Sequence, residues 1–322
     1  MLRQRVGLAA GLLPLLALPL LAPVATAAPG LDDAVDSLTG LAIDPSSGFT
    51  WTSDTSRVVA HRADGQRAGA LTLDVRPTDV EGLAFGNGSL WIGDVGDRQG
   101  SRSQVQVLRV ESPEPGSSAR TERFVLRYPD GAHDAQAMTV SPNGRIYVIT
   151  RGARPGIYRT STTPQASTSQ SVQGNDLTRI ADAPGGVTDA AYSSDGSQLV
   201  LRSARAVHVI DGQEFTETAS AALASGSGGF AMAPGQAGMV LSDGEGVLVD
   251  VALPATLVQL PDDAEAADPR DRAGSHSASP SARPARPAPD AGTGGGKAST
   301  VWALAVAGLI SLAAVAVVWF KR

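Results

Sequence analysis

Between residues 30 and 260, short apolar runs alternate with polar turns, and one order recurs five times: apolar run, turn, second run, short loop, third run, spacer, fourth run. The first runs read GLAI (40–43), GLAF (82–85), AMTV (137–140), AAYS (190–193) and FAMA (230–233). Each leads to a turn glycine: Gly48, Gly88, Gly144, Gly196 and Gly238, at intervals of 40, 56, 52 and 42 residues. The second runs are FTWTS, LWIGD, IYVIT, LVLRS and MVLSD, the third RVVAHRA, VQVLRV, GIYRT, AVHVID and GVLVDV, and the fourth ALTLD, RFVLRY, DLTRI, FTETA and TLVQL. These runs are short, rich in β-branched residues and often alternating, with Gly, Asn, Asp and Pro between them, so they predict strands. No helical period is sustained anywhere in this region.

Four strands per unit of 40–56 residues fit one architecture, an all-β β-propeller of four-stranded blades. Five blades account for Leu31 to Leu260, or six if the longer second and third units hide an extra hairpin. A pair of immunoglobulin-like sandwiches is the alternative, and the five-fold recurrence argues against it.

The two ends carry a different pattern. Residues 1–27 read as a secretory signal: Arg3 and Arg5, an apolar stretch from Val6 to Val24, then Ala25-Thr26-Ala27 as a cleavage pattern. Pro14, Pro19 and Pro23 would interrupt a spanning helix there. Residues 301–320 are uncharged, flanked by Trp302 and Trp319, and followed by Lys321-Arg322, which predicts a single membrane span with the basic tail in the cytoplasm. Residues 261–300, rich in Pro, Ala, Gly and Ser, cannot bury enough apolar surface to fold and predict a disordered stalk. The expected order is leader 1–27, propeller 28–260, stalk 261–300, span 301–320 and tail 321–322, with the body outside a cell membrane. Leu253-Pro254-Ala255-Thr256 lacks the glycine of a wall-sorting motif and lies too early for one, and GTGGGK lacks the spacing of a phosphate loop.

Composition narrows the chemistry. Aromatic residues make up only 4% of the chain, so the core must be built from Val, Leu, Ala and Ile. A net charge of −6 gives no footprint for nucleic acid. The absence of cysteine removes disulfides, thiolate metal sites and cysteine nucleophiles together. Lys297 and Lys321 are the two lysines, a bias that resembles proteins of high-GC Gram-positive bacteria.

If blade strands alternate in direction, the loops before the inner strands and those between second and third strands share one face. That face should hold Asp79, Glu81, Asp94, Asp97, Arg98, His133, Asp134, Gln136 and Asp189, with Asp54, Arg151, Arg154, Arg202, Arg205, Asp243 and Glu245 around them. Thr39, Glu81, Gln136 and Asp189 align as one ring at the channel mouth. Asp79, Glu81, Asp94, Asp97 and Asp134 offer the carboxylate oxygens that Ca²⁺ takes, although Asp and Gly at turns also serve backbone N–H groups. His133 beside Asp134 is the candidate for acid–base work, without an evident nucleophile. No GxSxG or HExxH motif occurs. Asn87-Gly88-Ser89 fits a glycosylation sequon, which the turn explains equally well.

Three segments carry a resemblance: Asp79-Val80-Glu81, Gly93-Asp94-Val95-Gly96-Asp97, and Tyr128-Pro129-Asp130-Gly131 leading to Asp134-Ala135-Gln136-Ala137. They resemble an exported, actinobacterial-type propeller family of the WD40-like and NHL-like superfold, over residues 79–150. Gly82, Arg98 and Gln136 stand where that family has Asp, Asn and Glu. The resemblance implies a propeller and, through esterase-like and phytase-like propellers, a Ca²⁺-dependent hydrolase or lyase as the alternative activity. The anchor, the stalk and the missing catalytic constellation favour instead a binding module at the cell envelope, with a protein or a cell-wall glycan as ligand. A wall-spanning scaffold without a specific ligand is the third expectation.

Overall fold

Each recurring pattern becomes an antiparallel meander, in a computed structural model that describes residues 30–32, 38–168, 170–223, 229–233, 238–242, 246–258 and 260. The first unit holds β1 (Gly40–Ile43), β2 (Thr50–Ser53), β3 (Val58–His61) and β4 (Arg67–Leu73). The second holds β5 (Val80–Gly86), β6 (Ser89–Asp94), β7 (Val105–Glu111), a short β8 (Ser118–Ala119) and β9 (Glu122–Arg127). The third has β10 (Ala135–Val140), β11 (Ile146–Thr150), β12 (Gly156–Thr160) and β13 (Gly174–Asp182). The fourth has β14 (Val187–Tyr192), β15 (Gln198–Ser203), β16 (Ala206–Asp211) and β17 (Glu217–Ala222), and the fifth β18 (Phe230–Met232), β19 (Gly238–Ser242) and β20 (Leu248–Ala252). Among the described residues every regular element is a strand.

The chain divides into two units, Met1–His276 and Ser277–Arg322. The second lies outside the described residues, as do the expected leader 1–27, stalk 261–300 and span 301–320, and the acids Asp243 and Glu245.

The first strands of the meanders pack in a circle: β1 on β5, β5 on β10, β10 on β14, β14 on β18, and β18 on β1. The apolar core follows the same circle. Trp51, Leu83 and Leu90 fill the space between units one and two, and Trp91, Phe124, Met138 and Tyr158 that between two and three. Tyr147, Ile149 and Leu201 join three to four, Val207, Phe230 and Met239 join four to five, and Leu31, Leu41, Val240 and Leu248 join five back to one. Each sheet is therefore covered on both faces, which is why its inner strands read as continuous apolar runs. Radial sheets around a central axis, buried on both faces, make a propeller-type fold.

Turn chemistry sets the hairpins. Gly86 pairs with Ser89, so Asn87-Gly88 is a two-residue loop, and both take positive φ (52° and 70°), as a type I′ turn demands. The longer second unit does not spend its extra residues on a hairpin of its own. Its β8 crosses to the first unit and pairs with β4, parallel. β13 pairs with β9, also parallel, so units two and three share one eight-stranded sheet.

Two expectations need correction. Among the described residues, the run 256–258 does not form a fourth strand of the last unit. Ser220 of β17 donates its N–H to the Thr256 carbonyl at 3.0 Å, and Val258 donates to Ser220 Oγ at 3.3 Å, so the run flanks the fourth unit. The second concerns register. Bulges fall between Val80 and Leu83, between Ala135 and Ala137, and between Val187 and Asp189. They make Thr188, not Asp189, the counterpart of Glu81 and Gln136. Asp189 occupies the next position, held in other units by Gly40, Gly82, Ala137 and Gly229.

Candidate functional site

The face expected to carry the chemistry is built by the ends of β6 and β11 and the segments leading into β5 and β10. Asp94, the last residue of β6, is fully buried. Its Oδ1 accepts from the Asp79 N–H at 2.9 Å and from Arg102 Nη1 at 3.0 Å, and its Oδ2 accepts from Gln106 Nε2 at 2.7 Å. Arg102 also donates to the carbonyls of Gly96 (2.7 Å) and Asp94 (3.1 Å). Asp97, buried, turns both oxygens inward to its own loop: Ser101 N–H reaches Oδ1 at 2.9 Å and Arg102 N–H reaches Oδ2 at 2.7 Å. Asp134 accepts from the Asp97 N–H at 2.9 Å and from Arg151 Nε at 2.5 Å. It thereby ties the second unit to the third.

Glu81 and Gln136 sit on the two bulges and are buried, at 2% exposure each. Gln136 Nε2 donates to Glu81 Oε1 at 3.4 Å across the seam between units. Gly96 lies so close to Asp79 that a Cβ there would overlap its carboxylate. Asp79 is half-buried, and burial followed by the neighbouring Asp134 charge raises its pKa above the ordinary aspartate value. Arg98 is exposed. Asp79, Glu81, Asp94, Asp97, Asp134 and Gln136 thus adjoin one another.

The described residues do not gather a metal cage. No three His, Asp or Glu among them are disposed to hold an ion. The donor chemistry explains this. The oxygens of Asp94, Asp97 and Asp134 already accept from guanidinium, amide and backbone N–H groups, so a Ca²⁺ would have to displace those donors. Three of the five carboxylates are therefore already committed to other donors.

His133 and Asp134 are neighbours in sequence with separate partners. Asp134 belongs to the network above. His133 Nε2 lies 2.9 Å from Asp130 Oδ1, and the Tyr158 hydroxyl donates to Asp130 Oδ2 at 2.9 Å. The rings of Tyr128, His133 and Tyr158 pack on one another with centroids 4.9–5.1 Å apart. For Asp130, burial raises the pKa, but the hydrogen bonds from His133 and Tyr158 outweigh it and hold the carboxylate below its ordinary value. Burial and then the Asp130 hydrogen bond push the Tyr158 hydroxyl up to about 12. No nucleophile is part of this cluster.

Asp189 stands apart from the ring. It is fully buried where units four, five and one meet, accepting from the Ala190 N–H at 2.9 Å and the Phe230 N–H at 2.8 Å, with Leu41 of β1 as a further backbone donor. Arg202 beside it donates to the carbonyls of Gly229 and Ser242, both at 2.9 Å. Burial pushes the Asp189 carboxyl up to about 8, against those hydrogen bonds and the Arg202 charge. Of the outlying residues, Asp54 is held by Arg57 at 2.7 Å. The sequence reading missed Arg102, Gln106 and Tyr158. Arg102 carried a signal: it is the first arginine beyond Arg98 in a loop that opens with two buried carboxylates.

No family model and no curated protein matches the chain. Solved structures similar to part of it include a gluconolactonase from Xanthomonas campestris, at 15% identity over 70% of this chain and 89% of that one, with a TM-score of 0.44. A PQQ-bound aldose sugar dehydrogenase from Streptomyces coelicolor aligns at 10% identity over 70% of this chain and 96% of that one, TM-score 0.40. A glucose dehydrogenase aligns at 11% identity over 70% and 98%, TM-score 0.42.

Proposed function

We propose that the chain is a five-bladed propeller acting as a binding module at the cell envelope, exported by its leader, held by the span 301–320 and spaced from the membrane by 261–300. One observation carries the binding reading. The carboxylates of Asp94, Asp97 and Asp134 are consumed by Arg102, Arg151, Gln106 and backbone N–H groups, which supports a fixed, hydrogen-bonded floor rather than a catalytic centre. What that floor presents to solvent is half-buried Asp79, exposed Arg98 and the Asp130–His133 edge with its aromatic rings. A carboxylate, a guanidinium and an imidazole edge suit a polar ligand, either a cell-wall glycan or a protein loop. Support for the alternative, a Ca²⁺-dependent hydrolase or lyase, is limited to the raised pKa of Asp79, which would suit a general acid.

The test uses the full chain in lipid nanodiscs, titrated with solubilised cell-wall glycan and with envelope protein. Binding is expected, weakened at least tenfold by Asp79→Asn together with Arg98→Ala. EDTA followed by Ca²⁺ should leave the melting temperature unmoved, since a ligand that binds only the native state would raise it. Turnover of ester or lactone substrates that needs Ca²⁺ and is lost in Asp79→Asn would sink the binding reading and establish the alternative.

A further inference from the structure

The opposite end of the ring is not polar. Four positions beyond the layer of Thr39, Glu81, Gln136 and Thr188, about 13 Å along each inner strand at ~3.3 Å per residue, the strands close on Ile43, Phe85, Val140, Tyr192 and Met232. One apolar side chain comes from each of β1, β5, β10, β14 and β18, all at one register position and all part-exposed. Together they line a cavity of about 230 Å³. It narrows inward to a second space of about 70 Å³, whose throat is set by Ala42, Ala84, Thr139, Ala191 and Ala231 one position earlier. Small residues there leave this space open, and Leu41 and Leu83 bound it one position deeper, at 1% and 2% exposure.

The chemistry of the lining selects its ligand. None of the residues around the cavity carries a charge. Three of the hydroxyls around it are engaged: Tyr192 donates to the Gly212 carbonyl at 2.8 Å, Ser141 to Asn143 Oδ1 at 2.5 Å, and Ser193 to Asp195 Oδ1 at 2.7 Å. An ion entering would lose its hydration without compensation, whereas an apolar group would gain from the burial. A cavity of roughly 150 Å³ already accepts benzene. The geometry points to a second binding site, at the end of the axis away from the acidic loops, for an uncharged aromatic group of one or two rings. This goes beyond the envelope-binding reading and does not depend on it.

The full chain has four methionines, Met1, Met138, Met232 and Met239. Met138 and Met239 are buried at 0% and 1% exposure, while Met232 lines the cavity. With methyl-labelled methionine and the chain in nanodiscs, titration with neutral indole should move the Met232 methyl resonance saturably, with a Kd of about 1 mM or tighter for so small a ligand, and leave Met138 and Met239 in place. Val140→Trp, which fills the funnel, should weaken binding at least tenfold. Ala233→Phe at the rim does the same job should the tryptophan variant not fold. Asp79→Asn with Arg98→Ala should leave indole binding unchanged, so failure here and failure of the envelope reading are separate results. A Met232 signal that does not move, that moves linearly with all other methyls as lipid partitioning would make it, or that responds equally in the filled variants overturns the proposal.

Discussion

Asp189 shows how one residue can be read correctly for its type and wrongly for its place. As an acid before an inner strand it matched Glu81 and Gln136. Units two, three and four carry their bulges at the same place, and eight residues before the turn glycine stand Gln136 (from Gly144) and Thr188 (from Gly196), so Asp189 lies one position further on and faces the other way. It therefore closes the seam between units four, five and one rather than lining the acidic face. The spacing to the turn glycine carried this register, but the apolar run that begins at Ala190 hid it, because a polar Asp189 stands where other units have Gly or Ala. The acidic loops were legible, because Asp and Gly at loop positions are themselves the signal. Their meaning was not, because the partners that neutralise them, Arg102 and Arg151, come from other segments. The displaced position of Asp189 has a consequence for stability. Its folded-state pKa, about 8, lies above the ordinary value of 3.8. Between those values the folded chain binds more protons than the unfolded one, so stability should fall as pH rises from 4 towards 8. Denaturation midpoints across that range check the slope. In Asp189→Asn, which has no proton to lose there, the slope should flatten. An unchanged slope in the variant would assign the pH dependence to other groups.

At the scale of the element, strand order was legible from turn spacing, and the glycines explain how the inner strands approach. Gly82 takes φ of +146°, and a Cβ on it would lie 2.6 Å from the Met138 backbone nitrogen of β10. Gly40 stands in the same relation to Leu83 of β5, at 2.6 Å. Close contact of successive inner strands is what lets so few sheets close around an axis. Gly82→Ala should therefore destabilise by more than about 1 kcal/mol, both from the strained φ and from the clash. Gly86→Ala, four residues along the same strand, meets nothing within 4 Å and should stay within about 0.5 kcal/mol of the parent. Chemical denaturation of the pair checks this, and equal effects would mean that β5 and β10 can part without cost. The parallel joins β4–β8 and β9–β13 could not be read from the chain, since each pairs segments that no local pattern links.

The molecule as a whole is uneven, and the unevenness follows from those joins. Units two and three share a continuous hydrogen-bonded sheet. The last unit has three described strands, and its seam with the first is held by side chains and by the start of the body: Gly30 bridges Val247, Leu31 donates its N–H to the Gly246 carbonyl at 2.8 Å, and the Leu31 side chain packs with Leu41, Ala231, Val240 and Leu248. A seam whose described residues are joined by one isolated bridge and by side-chain packing should open before one closed by a strand ladder. Leu31→Ala removes buried methyl groups at that point, and a truncation of this kind costs about 2 kcal/mol at the low end of its range, which suits a residue near the start of the body. Amide exchange locates the loss. Protection should drop at β1 and at β18 to β20 while β9 and β13 keep theirs. A uniform drop around the circle would mean that the five units unfold as one block and that the seam is no weaker than the rest.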